Sequence, residues 1–244
     1  MLGPLLRAMA AGDWARASRL LAASPQLARA STPVGASRGV SAPYYFKEIE
    51  RYVYAGDTAL HIAAAAYRAD FAEELVANGA NPGARNRRGA EPLHYATVGR
   101  PGSASWNPQA QAAMVEYLIR AGSNPNSTDK GGVTPLHRAV RTRCAAAVRV
   151  LLAQGANLHR KNNGGSTPLH LAVQNTGRGG SGDADARAQQ AEIIGLLLQY
   201  GARPTDQNDC GKTVAECIAS VGIEELLRAE RAWRGRRSLP VSDT

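Results

Sequence analysis

Apolar pairs recur along the chain at one fixed distance ahead of a glycine: Leu75/Val76 before Gly79, Leu118/Ile119 before Gly122, Leu151/Leu152 before Gly155 and Leu197/Leu198 before Gly201. Each pair predicts the buried face of a helix. Each glycine predicts its end, because glycine takes the left-handed conformation that closes a helix without steric cost. Upstream of every pair stands a tetrapeptide: Thr58-Ala-Leu-His61, Glu91-Pro-Leu-His94, Thr134-Pro-Leu-His137 and Thr167-Pro-Leu-His170. These predict the start of a second, shorter helix, with Thr as the capping hydroxyl and Pro in the first turn. Between the units, Asn86-Arg87-Arg88-Gly89 and Asp129-Lys130-Gly131-Gly132 carry turn chemistry and predict an extended loop with a tight hairpin.

Two helices and a loop therefore make one unit, and the unit repeats. A glycine two places ahead of each aligned threonine position (Gly56, Gly89, Gly132, Gly165 and Gly211) marks spacings of 33, 43, 33 and 46 residues. From each helix-closing glycine to the next aligned position the distance is 12 every time, so the extra length falls inside the second and fourth units. A fixed period of this kind signals stacked repeats, each covering its apolar face with the next. The period and the Thr-Pro-Leu-His tetrapeptide resemble the ankyrin repeat family, over residues 56 to roughly 233. The first unit departs at Ala59, where Pro is usual, and the fifth reads Thr213-Val-Ala-Glu216.

The expected fold is an all-α-dominated ankyrin repeat solenoid: helix pairs joined by hairpin-like connectors, with an N-terminal cap pair and five repeats. The expected divisions are a cap at 1–30, an aromatic-rich connector at 31–55, repeats at 56–88, 89–131, 132–164 and 165–210, a C-terminal capping repeat at 211–235 and a tail at 236–244. Gly12 and Gly222 are expected at the helix turns of the two caps, and Glu230 and Arg231 replace the apolar pair where the last repeat meets water.

Composition narrows the function. The chain has 244 residues, of which 20% are charged and 44% hydrophobic. With a mean hydropathy of −0.30, this is a soluble globular profile without a run long enough to span a bilayer. A cytoplasmic monomer is the expectation. Three cysteines (Cys144, Cys210 and Cys217) have no metal-ligand spacing, and an odd number argues against a disulfide framework. The net charge of +9 keeps anionic partners open. Nucleic acid is the weaker alternative, because the basic C-terminal run Arg228 to Arg237 comes with no recognised reading element.

Four of the five histidines belong to the tetrapeptides, and the resemblance implies that they bridge neighbouring loops. His159 is expected to be solvated. With those imidazoles assigned, no Ser/His/Asp set and no paired carboxylates remain, so no catalysis, cofactor or metal is expected. Cys144, beside two arginines, is a candidate for a lowered thiol pKa or simply a small buried side chain.

The function expected from the resemblance is protein binding, through hairpin tips and the exposed face of each first helix. The candidate tip residues are Arg87, Arg88, Asp129, Lys130, Asn163 and Asp209. Those on the helices are Ala65, Ala66, Val98, Arg141, Thr142, Gln174 and Asn175. The connector adds Tyr44, Tyr45, Tyr52 and Tyr54, which with Phe46 are five of the chain's 13 aromatics. Such rings anchor partners well, or pack the cap onto the first repeat. A further expectation is an anion pocket. The inserts beginning at Gly99 and Thr176 leave from helix turns on either side of the third unit, so Arg100, Arg141, Arg143 and Arg178 would converge with glycine amides on phosphate or carboxylate.

Overall fold

A computed structural model describes residues 2–37, 39–47, 49, 51–103, 106–174, 184–218 and 223. The cap is α1 (Gly3–Ala10) and α2 (Trp14–Ala23), turned by Gly12 at φ 73°. A short antiparallel pair follows, β1 (Tyr45–Phe46) and β2 (Arg51–Tyr52), with Tyr45 opposite Tyr52. Four helix pairs come next: α3 (Ala59–Ala65) with α4 (Ala69–Ala77), α5 (Pro92–Ala96) with α6 (Pro108–Arg120), α7 (Pro135–Arg141) with α8 (Ala145–Ala153), and α9 (Pro168–Ala172) with α10 (Ala184–Gln199). First helices pack on first helices and second on second, which produces two parallel layers.

The repeating leucines explain the stack. Leu60, Leu93, Leu136 and Leu169 of the tetrapeptides are fully buried, as are Leu75, Leu118, Leu151 and Leu197 of the apolar pairs. Each full burial contributes about 1.5–3 kcal/mol, so eight equivalent positions dominate the packing. The second member of each pair is less uniform: Leu152 and Leu198 are buried, whereas Val76 and Ile119 are half-exposed.

Helix starts follow from the caps. Thr134 and Thr167 accept from the backbone N–H of His137 and His170 through their side chains. In the fifth unit Glu216 replaces the histidine, its carboxylate accepting from both the N–H and the hydroxyl of Thr213 at 2.7 Å. A single 3-10 turn at Ala215–Cys217 is described there. The expected Gly222 turn, the Glu230/Arg231 pair, the terminal arginines and the tail lie outside the described residues.

The connectors are laced together at their tips. Arg87 N–H donates to Ala55 at 2.7 Å, Lys130 to Arg88 at 2.9 Å, Asn163 to Gly131 at 2.9 Å and Asp209 to Gly165 at 3.2 Å. This ladder of backbone bonds holds the hairpin tips in a row beside the layer of first helices.

Candidate binding groove

Each tetrapeptide histidine makes the same two contacts. Its Nδ1 accepts from its own cap, as in Thr58 N–H at 3.1 Å and Thr134 Oγ at 2.8 Å. Its Nε2 reaches a carbonyl of the next unit: His61 to Ala90 at 3.1 Å, His94 to Val133 at 3.0 Å, His137 to Ser166 at 3.1 Å and His170 to Lys212 at 3.2 Å. A carbonyl only accepts, so Nε2 carries the proton and Nδ1 is the acceptor. Burial pushes the His94 imidazole down to about 3, helped by the charge of Arg138, and lowers His61 and His137 as well. These three rings are neutral, and all four histidines pin one unit to the next. His159 is exposed, with Asp206 at 3.6 Å.

A buried polar knot braces the first two units. The Asp57 carboxylate is fully enclosed and accepts from Tyr95 Oη at 2.9 Å, Asn86 Nδ2 at 2.8 Å and Tyr54 N–H at 2.6 Å. It fixes Tyr54 and Asn86, and these two residues stand at the edge of a broad concavity.

That concavity is a groove of about 1160 Å³. Its floor is Tyr95, Val98, Arg138, Arg141 and Thr142; one wall is the hairpin tips Asn86–Arg88 and Asp129–Gly131. The other wall comes from the 31–55 connector, through Ala36, Ser37, Ser41, Arg51, Tyr52 and Tyr54. Among the described residues its lining carries six cations, Arg51, Arg87, Arg88, Lys130, Arg138 and Arg141, against one carboxylate, Asp129. Arg138 donates to Asp129 at 2.8 Å. Burial alone would raise the Asp129 carboxyl, but that guanidinium and the N–H groups of Val133 and Gly131 hold it below the usual range.

The connector wall is tied down by long-range bonds. Thr32 N–H donates to Asp57 and Gly56 N–H to Thr32, both at 2.8 Å, and Ala36 N–H donates to Val53 at 2.8 Å. Gly35 lies so close to the Tyr54–Ala55 peptide that a Cβ would come within 2.4 Å of it. Val53 and Ala36 are buried, and Phe46, Ile49 and Tyr54 pack partly on the core. Tyr45 and Tyr52 face outward, each 40% exposed, with ring centroids 4.9 Å apart. Packing and exposure thus divide within one segment.

Tyr52, Tyr54, Arg87, Arg88, Asp129, Lys130, Arg141 and Thr142 all line this one groove. Tyr45 stacks at its rim, while Tyr44 is half-buried and its carbonyl accepts from Val53 N–H at 2.9 Å. Gln174 is exposed away from the groove lining, and Ala65 is buried. Asn175 and Arg178 lie outside the described residues.

The expected arginine cluster divides. Arg141 lines the groove, but Arg100 lines a separate depression of about 280 Å³ with Trp14, Arg68 and Trp106. Arg143 is 5% exposed, because the backbone there is left-handed at φ 60° and turns its side chain inward. Tyr67 occupies the same turn of the first unit at φ 55°. Cys144 follows, fully buried beneath Gly99. Burial pushes its thiol pKa up, outweighing the lowering from the hydrogen bonds of Thr142 and Gln111.

Two groove cations were absent from the sequence-based candidates. Arg138 precedes Arg141 and Thr142 by three and four residues on α7, a spacing that places all three on one helix face and could have revealed it. Arg51 had no such signal, since it reaches Val98 O at 2.8 Å from across the connector.

Among the described residues no group of three or more His, Cys, Asp or Glu could hold a metal ion, and no helix is long and apolar enough to cross a membrane. A comparison with the curated proteins finds no match. Family models do match: one for an ankyrin repeat over residues 55–87 and one for ankyrin repeats in three copies over 103–208. Ankyrin repeats are generally protein–protein interaction modules. With the laced tips, the histidine pins and the two helical layers in register with those matches, the chain belongs to the ankyrin repeat family.

Proposed function

We propose that the protein is a non-catalytic binding module that holds a partner protein in the groove between its hairpin tips and the 31–55 connector. The observation that carries this reading is that one concavity gathers nine of the residues singled out by sequence as contact candidates, Val98 among them. The surface is pre-organised: its tips are hydrogen-bonded in series and its connector wall is bonded to the first unit. Little ordering entropy is then lost on association. Three free cysteines fit a reducing cytoplasm.

The test uses three immobilised proteins: the wild type, Thr142→Trp, which fills the groove floor, and Gln199→Trp, which changes an exposed position at the end of α10. Proteins bound to the wild type and to Gln199→Trp are expected to be lost from Thr142→Trp, with all three melting alike. Retention of every bound protein by the groove-filled variant would overturn the reading.

A further inference from the structure

We infer that the occupant of this groove is an extended acidic segment of the partner protein; this deepens the binding reading above and rests on it. The argument starts from which cations already have an anion. Arg138 is neutralised by Asp129. Arg87 donates to the Ala36 carbonyl, and Arg88 donates to the Tyr54 hydroxyl at 3.0 Å while lying 5.1 Å from that ring's centroid. Both partners are neutral. Lys130 and Arg141 are exposed, and no carboxylate of the described residues pairs with either. Four cations, two on the first tip, one on the second and one on the floor, therefore face one trough with no carboxylate of the described residues paired to them. Like charges crowded in a concave surface raise its potential, and an anionic chain lying between them relieves that repulsion.

Shape and ring geometry favour a polypeptide over a nucleic acid. Single-stranded nucleic acids bind basic grooves by stacking bases on open aromatic faces. Here the Tyr54 ring along the groove is covered by Arg88, and Tyr45 and Tyr52 form one tilted pair, 52° between planes, at the rim rather than a series of open faces along the trough. Val98, Val133 and Ala90 add apolar lining between the charges, which suits side chains alternating along an extended strand. The exposed Tyr45–Tyr52 pair at the rim supplies an amphipathic platform for a large apolar residue at one end of that strand.

The experiment is a display selection on the full chain from random peptides of about twelve residues, about 40 Å when extended. Selected peptides are expected to be rich in Asp and Glu and to carry a bulky apolar residue. The double variant Lys130→Glu with Arg141→Glu changes two exposed side chains, and its fold is checked by circular dichroism. It is expected to bind those peptides at least about tenfold more weakly, and Lys-for-Glu peptides to recover the loss. Neutral or basic consensus peptides blocked by Thr142→Trp would overturn the acidic ligand while leaving the groove intact as a binding site. A uridine oligonucleotide of equal length that binds more tightly than any selected peptide would overturn it in favour of nucleic acid. Recovery of no peptide blocked by Thr142→Trp would sink the groove reading itself.

Discussion

The four tetrapeptide histidines join each unit to the next through one proton on Nε2, and at His61, His94 and His137, where burial lowers the pKa, this makes the fold sensitive to mild acid. A native imidazole held at about 3, as at His94, stays neutral while the unfolded chain's imidazole protonates near its ordinary value of about 6.5. The unfolded state then binds more protons, so stability is complete above that ordinary value and declines as pH falls through it. For His94 alone the loss reaches about 2 kcal/mol at about pH 5. Denaturant midpoints measured from about pH 7.5 to 5 should fall, and His94→Gln, itself less stable at neutral pH, should show a shallower decline. An unchanged slope in the variant would mean that His94 takes up its proton at the same pH in the native and unfolded states, so that burial does not hold it neutral. The bridging role was legible through the repeat motif. For Cys144 the sequence offered a small buried side chain or a thiol activated by neighbouring arginines, and the left-handed backbone at Arg143 and the cover of Gly99 give the buried one.

At the scale of elements, the helix starts and ends were legible because caps, prolines and closing glycines are local signals. Connector 31–55 was not, since its rings follow no period and its path depends on bonds to residues far along the chain. Gly35 is the point of closest approach, with no room for a Cβ against the Tyr54–Ala55 peptide. Gly35→Ala should therefore lift the connector from the first unit. It would break the Ala36–Val53 bond and the Arg87–Ala36 contact while leaving α5 to α10 packed. The expected cost is about 1–3 kcal/mol, with increased amide exchange at Ala36 and Val53. Wild-type exchange at those two amides would show that the backbone relaxes around the added methyl. The same reasoning explains the divided arginines. Arg141 ends α7 on the groove side, while Arg143, two residues on, has passed the left-handed turn, and sequence spacing carries no record of that reversal.

Across the whole molecule the stack is one continuous apolar column in which each helix pair touches mainly its neighbours, so perturbations should stay local. On its N-terminal side α1 and α2 pack against the first unit: Leu5, Met9 and Leu21 are fully buried, Trp14 meets Phe71 at 5.5 Å between centroids, and Ser18 Oγ donates to Glu74 at 2.7 Å. Truncating Leu5 to Ala removes core volume at the first interface and should cost about 2–5 kcal/mol. In a linear array that loss appears where the interface is, because stability is a sum of unit and nearest-neighbour contributions. Hydrogen exchange of Leu5→Ala should accelerate through α1 to α4 and leave α7 and α8 near wild-type protection. Uniform acceleration across all described helices would instead require that the units unfold together, with coupling strong enough to spread a defect at the cap along the entire column. The groove reaches from the tip of the first unit to α7 and so joins those two regions. A cap defect that weakened peptide binding without loosening α7 would identify the connector, anchored to the first unit through Thr32 and Asp57, as the route by which the end of the stack reaches the site.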